Sequence, residues 1–124
     1  MTDPISPRNP LKILLVDDEK AVLKIMNVIL RREGHELMTA DNGKEGLELF
    51  REGKYDLIIS DNTMPAMTGT EMVDVIKREK PDQRVIMVTG DERVNVPGAN
   101  LVLAKPVSRG SLLEAIRKVG AGNK

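Results

Sequence analysis

At 124 residues, with 40% hydrophobic and 31% charged side chains, the chain suits one domain that can bury a core and stay in solution. Its 19 acidic and 19 basic residues cancel to a net charge of +0, and only 2% of it is aromatic. Both facts argue against a nucleic-acid partner, which would need a basic stripe or a stacking platform. Cys is absent, which excludes disulfides and thiol catalysis and fits a reducing compartment, so a cytoplasmic location is expected. No apolar stretch is long enough to suggest a membrane span.

Residues Met1 to Pro10 hold three prolines and no apolar run of a signal peptide, and are expected to form a loose arm (1–10). The first strand is predicted over Lys12 to Val16; it is apolar on both faces, as a strand covered by helices on both sides would be. A helix is predicted from Lys20 to Glu33, with Val22, Ile25, Met26, Ile29 and Leu30 at helical spacing and Gly34 as its C-terminal cap. His35, without a His or Cys companion, reads as a turn residue. A short strand, Glu36 to Ala40, precedes a second helix over Gly43 to Gly53 that carries Leu47, Leu49 and Phe50, with Gly43 and Gly46 weakening it.

The third strand is predicted over Asp56 to Ser60 and the third helix over Gly69 to Glu79, with Met72, Val73 and Ile76 inward. The fourth strand is Arg84 to Thr89, the fifth Asn100 to Ala104, and the last helix Ser108 to Val119, with Leu112, Leu113, Ile116 and Val119 facing the core. Gly120 to Lys124 read as a frayed tail (120–124), leaving a single domain over 11–119. Alternating strands and helices with short links imply parallel βαβ units: an α/β, doubly wound, five-stranded parallel sheet in the order 2-1-3-4-5. One link breaks the pattern. Between Thr89 and the fifth strand, Pro97-Gly98 punctuates the segment and Val94 and Val96 are spaced by two, so the fourth helix is expected to be shortened or absent.

Four short pieces end these strands: Asp17-Asp18, Asp61 with Met64-Pro65, Thr89, and Lys105-Pro106. Carboxyl ends of parallel strands meet at the edge where open α/β sheets bind ligands. Asp17, Asp18 and Asp61 brought together repel unless a cation lies between them, and hard oxygen donors with room for phosphate oxygens suit Mg²⁺. The alternative for Asp17-Asp18 is simple capping of the first helix. A carboxylate at Asp61 can attack phosphorus to form an acyl phosphate, with Mg²⁺ and Lys105 supplying positive charge and the Thr89 hydroxyl a hydrogen bond. Taken singly, Thr89 is an ordinary strand end and Lys105 a solvated lysine; Pro106 makes the bond between Lys105 and itself a candidate for the cis form.

These residues resemble the receiver domain of bacterial two-component response regulators over about Leu11 to Val119. Leu15-Val16-Asp17-Asp18-Glu19 is similar to the family's acidic pair, Asp61-Asn62-Thr63-Met64-Pro65-Ala66-Met67-Thr68-Gly69 to its phosphoacceptor loop, and Val88-Thr89-Gly90 and Ala104-Lys105-Pro106 to its switch hydroxyl and lysine. The strand order expected above is also the family's, so the two expectations are not independent.

The resemblance implies that Asp61 accepts a phosphoryl group from a sensor histidine kinase or a histidine phosphotransfer protein. It implies that Asp18, Asp61 and the backbone carbonyl of Thr63 bind Mg²⁺ directly, with Asp17 assisting through water, and that Thr89 and Lys105 engage the phosphoryl group. The chain would then be a phosphoacceptor signalling domain that catalyses only its own phosphorylation and dephosphorylation, with a phosphorelay role open to it.

Two departures stand out. Val102 occupies the position, three before the lysine, where the family usually has an aromatic residue, and the fourth helix is expected to be missing. An Asp-nucleophile phosphatase would need a general acid where Thr63 stands. A pseudo-receiver would lack an acid or the lysine, and none is missing. A dinucleotide site would need glycines where Asp17-Asp18-Glu19 stands. With no room for an effector after Val119, the chain reads equally as a stand-alone regulator or as a receiver cut from a longer protein.

Overall fold

The computed structural model describes residues 10–91 and 96–121. Strands β1 (Lys12–Val16), β2 (Glu36–Ala40), β3 (Leu57–Asp61), β4 (Val85–Thr89) and β5 (Leu101–Ala104) form one parallel sheet in the order β2-β1-β3-β4-β5. Helices α1 (Lys20–Arg32), α2 (Gly43–Glu52), α3 (Gly69–Glu79) and α4 (Arg109–Ala121) cover it. The class and strand order are those expected.

Side chains alternate across a strand, so each central strand feeds two cores. Ile13, Leu15, Leu57, Ile59, Ile86 and Val88 pack with Leu23, Met26 and Leu30 of α1 and Leu112, Ala115 and Ile116 of α4. Leu14, Val16, Ile58, Val85 and Met87 pack on the other face with Leu47 and Phe50 of α2 and Met72, Val73 and Ile76 of α3. Gly46 is part of that packing: a Cβ there would lie 3.0 Å from the Met72 sulfur and 3.1 Å from Val16. The glycine read as a weakness of α2 is what lets the helix lie close to the sheet.

The helix ends are held locally. Asn42 accepts from the Glu45 N–H, and Thr68 and Glu71 form a reciprocal capping box at the start of α3. Gly34, at φ 94°, takes the left-handed turn after α1. His35 Nδ1 then accepts the Leu11 N–H at 2.9 Å, so the turn residue also anchors the start of β1.

Several expectations change in detail. Ile25 is exposed and Leu23 takes the inward place on α1. Asp61 is the last residue of β3 rather than the first beyond it, because its register continues opposite Val88. Gly120 and Ala121 continue α4 instead of starting a tail, with Arg84 Nη1 donating to the Val119 and Gly120 carbonyls. Between β4 and β5 the described residues hold no helix: Val96 to Ala99 make a turn, and Asn100 is tied to Val85 by two hydrogen bonds. Val94, most of the expected arm and residues 122–124 lie outside the described residues.

Burial lowers the His35 imidazole below its ordinary value of 6.5, against a smaller upward pull from Glu33. The unfolded chain therefore binds the proton more readily, and stability should fall as pH drops below about 6.5. Denaturant midpoints measured between neutrality and about pH 5.5 should fall further for the wild type than for His35→Gln, which keeps an acceptor but does not titrate.

Candidate functional site

The ends of β1, β3, β4 and β5 meet at one edge, and single backbone hydrogen bonds carry the ladder one residue beyond β1, β3 and β5. Asp17 N–H donates to Ala40, Asn62 N–H to Val88, and Lys105 N–H to Thr89, at 3.1, 3.0 and 2.8 Å. These bonds fix where the side chains leave the sheet. Carboxylate oxygens of Asp17, Asp18 and Asp61 all lie within 4.8 Å of one another. Asp17 and Asp61 are each 3% exposed, and Asp18 is the most open of the three.

Lys105 Nζ reaches in from the far side, 3.0 Å from Asp61 and 3.9 Å from Asp17. The peptide bond between Lys105 and Pro106 is cis. Burial disfavours the Lys105 charge, yet the hydrogen bond to Asp61 and the attraction of Asp17 and Asp61 outweigh it and raise its pKa. Burial raises Asp17; the Glu19 N–H opposes this, the Asp61 charge adds to it, and Lys105 pulls back. Three carboxylates against one ammonium leave an excess of negative charge, and a hard divalent cation fits that donor set.

Thr89, 1% exposed, closes β4, and its hydroxyl accepts the Asp91 N–H at 3.1 Å. Thr63 is exposed in the loop two residues beyond Asp61. Asp17 does not cap α1: its Oδ1 accepts the Glu19 N–H in a tight turn, and the N-cap residue of α1 is Glu19, without a side-chain capping bond.

The loop after Asp61 is tightly held. Asn62 Oδ1 accepts both the amide and the hydroxyl of Thr70, and Gly69 N–H donates to the Asn62 carbonyl. A Cβ on Gly69 would stand 2.4 Å from the Asp61 carbonyl oxygen, so only glycine lets α3 begin this close to β3. Ala66, at φ 67°, takes a left-handed conformation that costs a non-glycine residue about 1–2 kcal/mol. Sequence reasoning did not assign Glu19, whose carboxylate lies 3.2 Å from Lys105, nor the Asn62–Thr70 brace. The Thr68–Glu71 spacing was the one readable signal for how this loop ends.

The chain matches the family model described as the response regulator receiver domain over residues 13–117. It belongs to that family. Receiver domains are phosphoacceptor signalling modules of two-component systems. The chain is 34% identical over 113 residues to the transcriptional regulatory protein GlrR of Escherichia coli, covering 86% of this chain but 26% of that protein. It is 29% identical to protein PilH of Pseudomonas aeruginosa, covering 90% of this chain and 98% of PilH.

Among solved structures, the receiver domain protein from Methanospirillum hungatei has a TM-score of 0.86 at 32% identity, covering 92% of this chain and 96% of that one. Response regulator TrrA of Thermotoga maritima, solved in complex with Mg(2+)-BeF, has 0.82 at 33%, covering 87% and 97%. The chain thus spans about a quarter of GlrR and nearly all of PilH. No helix among the described residues is long and apolar enough to cross a membrane.

Gly69→Ala should lower stability by about 1–3 kcal/mol through overpacking against the Asp61 backbone. Ala66→Gly should leave it unchanged or slightly higher; a urea midpoint reads both.

Proposed function

We propose that Asp61 accepts a phosphoryl group from the phosphohistidine of a sensor kinase or a histidine phosphotransfer protein, and that the modified domain changes its protein contacts. The observation that carries the reading is the Lys105 ammonium 3.0 Å from Asp61, beside a carboxylate cluster within 4.8 Å. In the step, an Asp61 carboxylate oxygen attacks phosphorus, an O–P bond forms, the P–N bond of the donor breaks and the imidazole leaves with the electron pair. Hydrolysis of the acyl phosphate by water returns the carboxylate and inorganic phosphate, so the domain catalyses only its own phosphorylation and dephosphorylation.

Asp18, Asp61 and the Thr63 carbonyl would hold Mg²⁺ directly, with Asp17 through water. When bound, that ion supplies the positive charge that draws the phosphoryl oxygens into line. Lys105 offsets the remaining charge on the acyl phosphate, and the Thr89 hydroxyl turns to a phosphoryl oxygen. The complex of TrrA with Mg(2+)-BeF supports this assignment, as that relative shares the fold at 33% identity.

We place the working domain at 11–119 and its action in the cytoplasm, a setting that a chain without Cys suits. A phosphorelay role is the form this takes if the phosphoryl group passes on to a second histidine protein. Neither nucleic acid nor membrane is proposed as a direct partner.

Wild-type protein with Mg²⁺ should bind fluoroberyllate and be labelled by a small phosphoramidate donor. Asp61→Asn or chelation of the metal should abolish both. Lys105→Ala, losing a charge-assisted hydrogen bond, should weaken fluoroberyllate binding about ten- to a hundredfold. Labelling that persists in Asp61→Asn would move the acceptor elsewhere.

A further inference from the structure

Glu19 stands at the N-cap position of α1, yet its side chain makes no capping bond. Its carboxylate accepts from Lys105 Nζ at 3.2 Å instead, joining the turn after β1 to the turn after β5. The same ammonium lies 3.0 Å from Asp61 and 3.9 Å from Asp17. An ammonium has three N–H donors and no acceptor, so Lys105 is shared between carboxylates in two environments. Asp17 and Asp61 are buried, whereas the Glu19 side chain is 61% exposed.

Resting on the reading of Asp61 as the phosphoacceptor, we infer that Glu19 is a positioning residue that competes with the phosphoryl group for Lys105. A phosphoryl group adds roughly 1.5 to 2 negative charges and three strong acceptor oxygens. Those oxygens and the Glu19 carboxylate then draw on the same three donors. The Glu19 pair is open to solvent and worth little, so it biases the lysine without locking it.

The bias has a second consequence. Glu19, Lys105, Pro106 and Ser108 rim an apolar groove floored by Val22, Met26 and Leu112. In the unmodified protein the Glu19 carboxylate at that rim shares the Lys105 ammonium with Asp61. When a phosphoryl group draws on Lys105, the charge at that rim becomes more negative.

The full chain is titrated with fluoroberyllate at saturating Mg²⁺, followed by fluorine NMR, and the Lys105 side-chain methylene resonances are recorded in the free protein. Glu19→Gln should bind about two- to fivefold more tightly than wild type, the scale of an exposed ion pair. The free-state Lys105 resonances should move in the same variant, and Glu19→Ala should repeat both changes. Unchanged or weaker binding in Glu19→Gln overturns the inference. Tighter binding with Lys105 resonances unmoved also overturns it, since loss of a nearby negative charge would then suffice. A wild-type chain that binds no fluoroberyllate overturns instead the assignment of Asp61, and this inference with it.

Discussion

The ammonium of Lys105 lies 3.0 Å from Asp61 and 3.9 Å from Asp17, two carboxylates that are each only 3% exposed. Carboxylates withdrawn from water are costly unless they are paired. One ammonium does not offset two buried acids and the nearby Asp18; burial does most to raise Asp17, and the Asp61 charge adds to it. The edge therefore carries a standing deficit of positive charge. That deficit makes it receptive to a hard cation, and through the cation to the oxygens of a phosphoryl group. Nothing else among the described residues brings three carboxylates so close.

The rest of the fold serves to hold that unfavourable arrangement. β1, β3 and β4 are packed on both faces, so their ends are fixed by burial of Leu14, Ile59, Ile86 and Met87 rather than by the polar groups beyond them. The apolar packing absorbs the electrostatic cost. Close approach of α3 to β3 at Gly69, and the Asn62–Thr70 brace, hold the loop after Asp61 against the same repulsion. The left-handed Ala66 is a small strain kept within this loop, of the kind that gathers near functional sites.

The strands, and the meeting of Asp17, Asp18, Asp61 and Lys105 at one edge, were legible in the sequence because both rest on local signals. Apolar runs such as Ile13 to Val16 mark buried parallel strands, and a polar residue ending each run marks the ligand edge. Helix faces were less legible. Ile25 is at helical spacing from Val22 and Ile29, and Leu23 from Met26, so only the tertiary neighbours of α1 decide that Leu23 turns inward. Gly46 was misjudged for a related reason: propensity counts against glycine in a helix, but contact with Met72 and Val16 requires it. Glu19 was beyond reach, since its partner Lys105 is 86 residues away and no spacing rule links them. The end of α4 was missed likewise, because the Arg84 side chain that meets its last carbonyls comes from just before β4.

The structure also bears on how a signal would leave the site. Leu101 and Leu103 of β5 pack into the core beneath α1 and α4, while Val102 is 39% exposed on the opposite face and no helix follows β4 among the described residues. A valine has no ring to swing inward, so a relay through an aromatic side chain on β5 is not available to this chain. The Thr89 hydroxyl offers another route. It now accepts the Asp91 N–H, and a hydroxyl drawn to a phosphoryl oxygen on Asp61 would give up that bond. At the other end of the same connection, Val96 is buried in the α2–α3 core and Asn100 is pinned to Val85. On the proposed reading, a phosphoryl group on Asp61 would act through the Thr89 hydroxyl on the residue bonded to it just beyond β4, and through Lys105 on Glu19 in the turn after β1.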